Sequence, residues 1–446
     1  MSSDRELFES LPEQHAPAAA GRGAPRLRVP QRDQIDMHWA ALDDMLDPNH
    51  TVRLVWAFVQ GLDLTPLYDE IKAREGEPGH PPAMPELMMA VWLWAIVEDV
   101  GSARRLDQLC KEHLAYRWLC GGVSMNYHTL SDFYVAHRDV LKKLLADGCA
   151  ALVEQGLVTP QTLAQDGLRV RASAGAASFR RRDRLEELHA AAQRRVERLH
   201  AELVEDPGVA TRRRQAAQKR AARERVERIA AAQARMRELE AERARREKTN
   251  KADVAKQKEP RASTTDKDAR VMKVADGGFR PAYNMQIVSD PASQVVVAVD
   301  VETSGSDRGL ARPALEGLLA QGLRPADYLV DGGFTKNEDI EWAHANGTRL
   351  WCPPAQSKHG TDPYAPRKDD GPGVTDWRER MPSDIGKQMY RERGKAECLN
   401  ARGRCMGLRQ LTVRGKEKAL TALLWFAVAH NMMRAFSLQH AAAAVA

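Results

Sequence analysis

One short segment near the C-terminus combines residue types that can act on phosphate groups. From Tyr390 to Arg404 the spacing is Y-x2-R-x3-E-x6-R. On a helix, residues three, four and seven apart share a face, so Tyr390, Arg393, Glu397 and Arg404 would form one stripe. A carboxylate there can hold a divalent cation, and arginines can hold phosphate oxygens. The spacing predicts a metal-dependent site for a phosphate backbone, although it also fits a face of i,i+4 salt bridges.

Two further carboxylates have the local pattern of metal ligands. Asp166 and Asp331 each end a short segment that could be a strand, and each is followed by glycine. A carboxylate at a strand tip suits a metal ligand, because the glycine lets backbone or ligand come close. Either residue could instead be an ordinary aspartate before a glycine turn. Asp276 repeats the pattern of Asp331 but precedes a strand, so it is a poorer candidate.

These residues resemble the DDE transposases of bacterial insertion sequences, in the group whose signature is Y-x2-R-x3-E-x6-K. The resemblance extends from about residue 34 to about residue 436, and in the N-terminal half it rests on residues 101–106, 116–122 and 128–133. One departure is visible, since Arg404 replaces the last lysine of the signature. The positive charge is kept, but arginine and lysine differ in hydrogen-bond geometry.

The resemblance implies both a reaction and the residues that perform it. It implies a catalytic triad that also binds two Mg²⁺ or Mn²⁺ ions: Asp166, Asp331 and Glu397. It implies four contacts to DNA: Tyr390, Arg393, Lys395 and Arg404. Such a site can cut the end of a mobile element by hydrolysis and then join the 3′ end to target DNA by transesterification. The implied partners are double-stranded DNA, at the element ends and the target, and further copies of the chain in a homodimer or higher oligomer.

Two other functions remain compatible with the residues. The first is a site-specific or structure-specific endonuclease on the same fold, which cuts without joining. The second is a non-catalytic DNA-binding protein derived from a transposase, although the presence of all three carboxylates argues against it.

Composition narrows the choice further. The chain has 446 residues, a net charge of +6 and a pI of about 9.0, which suits a nucleic-acid partner without requiring one. No G-x4-G-K-[ST] motif is present, so no nucleotide is expected. The six cysteines form no C-x-x-C pair and no signal peptide precedes them, so we expect reduced thiols, no structural zinc and a cytoplasmic protein. The resemblance implies that this protein is bacterial and associated with the nucleoid.

A strongly apolar segment at residues 419–436 is about long enough to span a membrane. Four polar residues in or beside it argue against a span: Lys418, His430, Asn431 and Arg434. We therefore predict a buried helix that packs on the catalytic sheet, and no membrane partner.

The pattern along the chain predicts four regions. Residues 1–32 read as a flexible N-terminal arm, and residues 33–155 as an all-helical DNA-binding domain. Residues 178–261 are rich in Arg, Glu and Ala and read as an inserted antiparallel coiled-coil hairpin that turns at residues 205–208. That hairpin could be a solvated element, or it could contact DNA or a second copy through its arginine clusters.

Residues 156–177 and 262–440 make up the predicted catalytic domain. Strands are predicted at residues 157–168, 283–288, 294–301, 328–330 and 348–352, with helices between them, which indicates an α/β fold. The resemblance makes this a ribonuclease-H-like mixed sheet of five strands. In that fold the first and fourth strands are neighbours, so Asp166 and Asp331 would meet, and Glu397 would reach them from a helix.

Overall fold

The computed structural model of the chain describes residues 39–74, 81–205, 209–249, 259–354 and 362–445. The predicted arm at residues 1–32 lies outside these ranges. Among the described residues, a helical region precedes the first strand of the chain, as expected from the sequence. The described helices of this region are Leu42–Met45, Thr51–Gln60, Thr65–Asp69, Pro85–Val97, Ala103–Glu112, Leu114–Cys120, Tyr127–Ala136 and Arg138–Glu154.

Local chemistry explains where several of these helices begin and end. The side chain of Ser102 accepts a hydrogen bond from Arg105 N, and that of Asn126 accepts one from Thr129 N, so each caps the start of a helix. Gly121 ends a helix in the left-handed conformation, with φ of 53°. The helix Pro85–Val97 is buried nearly all round and forms the centre of this region.

The described strands are β1 (Thr162–Arg171), β2 (Phe179–Arg180), β3 (Ala262–Ser263), β4 (Arg270–Lys273), β5 (Phe279–Ser289), β6 (Val296–Glu302), β7 (Asp327–Leu329) and β8 (Arg349–Trp351). Five of them lie in the order β6-β5-β1-β7-β8, with β1 antiparallel to β5 and parallel to β7. The first half of β5 extends beyond β6 and pairs with β4, which makes six strands where five were predicted. β2 and β3 form a separate pair.

The first strand is displaced from its predicted position at residues 157–168. Leu157 and Val158 instead complete the end of the preceding helix, because their amides both bond Leu152 O. β1 therefore begins at Thr162 and continues to Arg171. As a result Asp166 lies inside the strand and not at its tip.

Two long helices, Arg182–Glu205 and Val209–Thr249, form the predicted insertion between β2 and β3. Arg182 at the start of the first helix pairs with Glu240 near the end of the second, so the two helices run antiparallel. An apolar seam joins them: Leu185, Ala192, Ile229, Ala232 and Met236. Most of the predicted turn lies outside the described residues, and its coiled-coil character stays a prediction.

Helices cover both faces of the sheet. One apolar cluster joins the helical region, part of the sheet and the C-terminal helix Lys416–Val445, and a second joins the sheet to the helices Ala311–Ala320, Asn337–Ala345 and Pro372–Arg380. No described helix is long and apolar enough to cross a membrane.

The polar residues of the C-terminal helix hold the connection between β5 and β6. Asn431 Oδ1 accepts from Val296 N (2.8 Å) and Asn431 Nδ2 donates to Val296 O (2.7 Å). His430 Nε2 lies 2.8 Å from Gln294 O, and Arg434 Nε donates to Ser293 O (2.8 Å). The prediction of a buried helix packed on the sheet is confirmed, and these bonds explain three of its polar residues, His430, Asn431 and Arg434.

Candidate active site

Strand register brings Asp166 and Asp331 together. β1 and β7 pair in parallel, ending at Ala164 beside Leu329. Two further residues along both chains place Asp166 level with Asp331, and neighbouring strands lie about 4.8 Å apart. Asp331 follows the end of β7, and its Oδ1 accepts a hydrogen bond from Gly333 N (2.7 Å). This bond fixes the carboxylate at the edge of the sheet.

Gly167 has a role different from the one predicted for it. A Cβ atom at this position would lie 2.7 Å from Asp307 Oδ1 and 2.9 Å from both Asn284 Oδ1 and Gln286 Nε2. The glycine therefore gives room to buried polar side chains of the same protein. Gly167 was expected to make room for a ligand, but side chains of the protein fill that space.

The segment that carries Glu397 is two helices, Asp384–Arg391 and Gly394–Cys405, and not the single helix that was predicted. At the junction Arg393 N bonds Tyr390 O and Ala396 N bonds Arg393 O, so three-residue hydrogen bonds replace the four-residue bonds of an α-helix. Gly394, a poor helix former, follows the junction. The bend takes Arg393 out of a regular helical face.

Arg393 contacts all three predicted catalytic carboxylates. Its Nη1 atom lies 2.9 Å from Glu397 Oε1, and its Nη2 atom lies 3.2 Å from Asp166 Oδ1 and 3.8 Å from Asp331 Oδ2. The Arg393 side chain is 13% exposed, whereas that of Glu397 is 66% exposed. The three carboxylates therefore converge around one largely buried cation.

Asn400 is a site residue that the sequence interpretation missed. Its Nδ2 atom donates to Asp166 Oδ2 (2.8 Å), and the contact is buried. The signal was present in the spacing, because Asn400 lies three residues after Glu397 on the same helical face. It went unnoticed since an amide carries no charge.

Burial and charge shift the pKa values in this cluster. Burial raises the pKa of the Asp166 carboxyl, while Arg393 and the Gly167 amide oppose that shift. Burial lowers the pKa of the Arg393 guanidinium, but the Asp166 carboxylate and other neighbours outweigh it, so the pKa is raised overall. Burial raises the pKa of Tyr390 to about 12, which keeps its hydroxyl protonated and able to donate at neutral pH.

The other two predicted DNA contacts are exposed, and neither pairs with the three carboxylates in the part of the chain that the structure describes. Lys395 Nζ pairs with Glu392 Oε2 (2.6 Å) on the outer surface. Arg404 is exposed at the far end of its helix, where its carbonyl oxygen accepts a hydrogen bond from Arg409 Nε (2.7 Å). Neither residue belongs to the buried cluster.

Comparison with known proteins adds an observation independent of this geometry. Residues 258–432 match the family described as Transposase DDE domain, and residues 40–136 match the transposase domain DUF772. The chain belongs to the insertion-sequence DDE transposases. No curated protein and no solved structure matches it. The helical region and the mixed sheet of this transposase are consistent with a DDE domain and its N-terminal partner.

The matched ranges cover two of the three carboxylates. Asp331 and Glu397 lie within the DDE match, whereas Asp166 lies outside both ranges. Asp166 is connected to the other two through Arg393 and through the register of β1 and β7. Its place in the site therefore rests on geometry.

DDE transposases generally use divalent metal ions. In the described part of this transposase, no three His, Cys, Asp or Glu side chains are arranged to hold an ion. The Arg393 guanidinium contacts the carboxylates instead. Two buried polar atoms beside them, Arg393 Nε and Asn400 Oδ1, have no hydrogen-bond partner among the described residues. Asn400 Oδ1 beside the carboxylate oxygens fits a hydrated divalent cation, whereas the Arg393 Nε–H group can only donate and fits a phosphate oxygen.

Proposed function

We propose that this transposase cuts the ends of its insertion sequence and joins their 3′ ends to target DNA, with Asp166, Asp331 and Glu397 as catalytic residues. The observation that supports this assignment most strongly is the convergence of the three carboxylates on Arg393. Three carboxylates at one place are unfavourable unless cations neutralise them. Carboxylates with a purely structural role are not expected to lie this close to one another, because they repel each other.

The proposed cofactors are two Mg²⁺ or Mn²⁺ ions, held by the same three carboxylates. Both ions prefer oxygen ligands, which is the only donor type that the triad offers. When bound, they supply the activation of the attacking oxygen and the stabilisation of the leaving 3′ oxygen. Arg393 must then exchange some of its carboxylate contacts for contacts with DNA phosphate.

The remaining residues of the site are proposed to orient the Asp166 carboxylate and to bind phosphate oxygens of the DNA. Asn400 fixes the rotation of the Asp166 carboxylate through its bond to Oδ2. Tyr390, whose hydroxyl stays protonated, can donate to a phosphate oxygen. Arg404 and Lys395, exposed on the two sides of the Glu397 helix, are proposed to contact the DNA backbone outside the reacting phosphate.

The same proposal extends to the larger architecture. We assign residues 156–177 and 262–440 to a ribonuclease-H-like catalytic domain, residues 33–155 to a DNA-binding domain and residues 178–261 to an inserted hairpin. The strand order β6-β5-β1-β7-β8 supports the first assignment. The transposase acts in the bacterial nucleoid as a homodimer or higher oligomer that holds two element ends.

The isosteric variants Asp166→Asn, Asp331→Asn and Glu397→Gln test the proposal. Each removes a negative metal ligand while keeping the size of the side chain, so each should reduce cleavage of an end-containing duplex at least a hundredfold. Binding of the same duplex should change less than about threefold, because the triad supplies no attraction for phosphate. Near-normal cleavage by any one variant would remove that residue from the triad.

A further inference from the structure

A second concave surface lies at the base of the inserted helices, at a distance from the three carboxylates. This basal groove has a volume of about 680 Å³ and lies between the end of the second inserted helix, the β2–β3 pair and the β4–β5 hairpin. Its apolar lining includes Phe179, Leu239 and Val271. Among the described residues the groove is open to solvent, and its volume is large enough for one or two nucleotides.

Positive charge dominates the walls of the basal groove. Four arginines line it: Arg243, Arg246, Arg261 and Arg270. The two carboxylates that line it are already in ion pairs, since Glu242 bonds Arg270 (3.0 Å) and Glu259 bonds Arg181 (3.0 Å). Four arginines and two glutamates line the groove, so its lining carries net positive charge, which favours an anionic ligand.

An aromatic side chain is exposed at the same groove. Phe279 is 71% exposed, and Val271 beside it is 48% exposed. In the β4–β5 pairing Phe279 lies opposite Lys273 and Val271 lies opposite Pro281, so Phe279, Lys273 and Val271 share one face of the hairpin. An accessible aromatic ring beside cationic side chains is the combination that binds unstacked bases together with their phosphates.

The register of β5 separates this surface from the candidate active site. Asp166 pairs with Ile287, and Phe279 lies eight residues earlier on β5. At about 3.3 Å per residue the separation along the strand is roughly 26 Å. An unpaired DNA strand can extend beyond the 3.4 Å per step of a B-form strand, so that distance takes no more than about eight nucleotides. One DNA strand can therefore reach both places, but neither set of residues touches the other.

We propose that the basal groove binds a single-stranded segment of DNA, with a base stacked on Phe279 and the adjoining phosphates held by Arg246 and Arg261. The charge and the exposed ring of the groove argue for a nucleic acid, and only the choice of DNA rests on the proposed function. The charge of the groove favours DNA over a second copy of the chain, because another copy would have to present an acidic surface. The exposed ring favours unpaired bases over a closed duplex.

Two pairs of variants of the full-length chain test the groove. Phe279→Leu keeps apolar bulk without a stacking surface, whereas Phe279→Trp keeps the stacking surface. Arg246→Glu with Arg261→Glu reverses two charges in the groove. Arg220→Glu with Arg223→Glu makes the same charge change on the same helix, with position 223 roughly 35 Å from Arg246 at 1.5 Å per residue. The probe is a fluorescent 20-mer of oligothymidylate, with a blunt duplex of the element end as comparison.

Phe279→Leu should weaken binding of the single strand about tenfold, and Phe279→Trp should leave it within about twofold of the original. The groove double variant should weaken it further and lower the log–log salt slope by about 1.4, whereas the matched control pair should have a much smaller effect. Duplex binding should fall far less than single-strand binding in both groove variants.

Unchanged single-strand binding in Phe279→Leu and in the groove double variant would overturn the proposal. So would an equal loss of duplex binding, or a change in oligomeric state on sedimentation, which would make the groove an interface between copies. Asp331→Asn should retain single-strand binding. If the groove variants did not show the expected loss of binding, the proposed function would still stand. If the triad variants did not show the expected loss of cleavage, the proposal for the groove would still stand.

Discussion

Asn400 links the buried carboxylate to the helix that carries Glu397. Asp166 Oδ2 accepts from Asn400, while Asp166 Oδ1 accepts from Gly167 N (2.9 Å) and Arg393. Removal of one donor leaves part of a buried carboxylate unsatisfied, which costs about 1–3 kcal/mol. Asn400→Leu should therefore lower the rate of DNA cleavage about tenfold to a hundredfold and raise the Mg²⁺ concentration for half-maximal rate.

Asn400→Ser keeps a shorter hydrogen-bond donor. Its rate of DNA cleavage and its Mg²⁺ concentration for half-maximal rate should therefore lie between those of Asn400→Leu and of the unaltered chain. Thermal unfolding of the two variants serves as the control for stability. A lower melting temperature with an unchanged Mg²⁺ requirement would show that Asn400 only stabilises the fold.

Arg404 and Arg393 should affect DNA binding in different ways. Arg404 is exposed, so Arg404→Ala should weaken binding to specific and unrelated duplexes alike and lower the salt slope by about one unit. Arg404→Lys should keep much of the activity. Arg393→Ala should be more severe, because it also leaves three carboxylates without their shared cation. Changed sequence preference with an unchanged salt slope in Arg404→Ala would mean that this arginine reads bases.

The residue types and their spacing singled out Asp166, Asp331, Glu397 and Arg393, and the structure brings these four side chains together. Their roles as metal ligands and as a DNA contact stay predictions. Asn400 and the neighbours of Gly167 were not predicted. Their roles depend on which strands become neighbours, and a neutral amide on a helix has no pattern of its own. The contacts of Asp166 cross 227 and 234 residues of chain, so no local pattern could reveal them.

Most elements were predictable to within a few residues, and the failures have local causes. The hairpin of β5 and β6 and the helix Ala311–Ala320 follow from β-branched alternation and helical periodicity. β4 was missed because its four residues are too short for a pattern. The break at Arg393 was missed because Glu392 and Arg393 are good helix formers, and the poor helix former Gly394 was taken as part of one continuous helix.

We expect His430 in the C-terminal helix to make the free energy of unfolding depend on pH. Burial lowers the pKa of His430 to about 4, from 6.5 for a free histidine. Between these two values the unfolded chain binds a proton that the folded chain does not, so the free energy of unfolding falls as the pH drops. The loss attributable to His430 is on the order of 3 kcal/mol.

The melting temperatures of the unaltered chain and of His430→Gln, measured at pH 7 and at pH 4.5, test this response. Glutamine keeps a donor for Gln294 O but does not titrate. The difference between the two pH values should be smaller for His430→Gln. Equal losses in both proteins would assign the acid sensitivity to other groups.

At the scale of the whole molecule, the topology brings together parts of the chain that are far apart in sequence. The two inserted helices separate β1 from the rest of the sheet, yet β1 lies at its centre, between β5 and β7. Sequence pattern alone indicated an α/β fold, and the strand order came from the resemblance. The order could not be derived from periodicity, because periodicity reports which face of a strand is buried and not which strand lies beside it.

Strand transfer tests the central claim most directly. A duplex of the element end with a free 3′-hydroxyl is incubated with supercoiled plasmid, with or without Mg²⁺, and the joined product is separated on a gel. The unaltered chain should join the end to the plasmid only when Mg²⁺ is present, and Asp166→Asn, Asp331→Asn and Glu397→Gln should not join it. Cleavage without joining would indicate an endonuclease, and joining by any triad variant, or without a divalent ion, would contradict the proposed site.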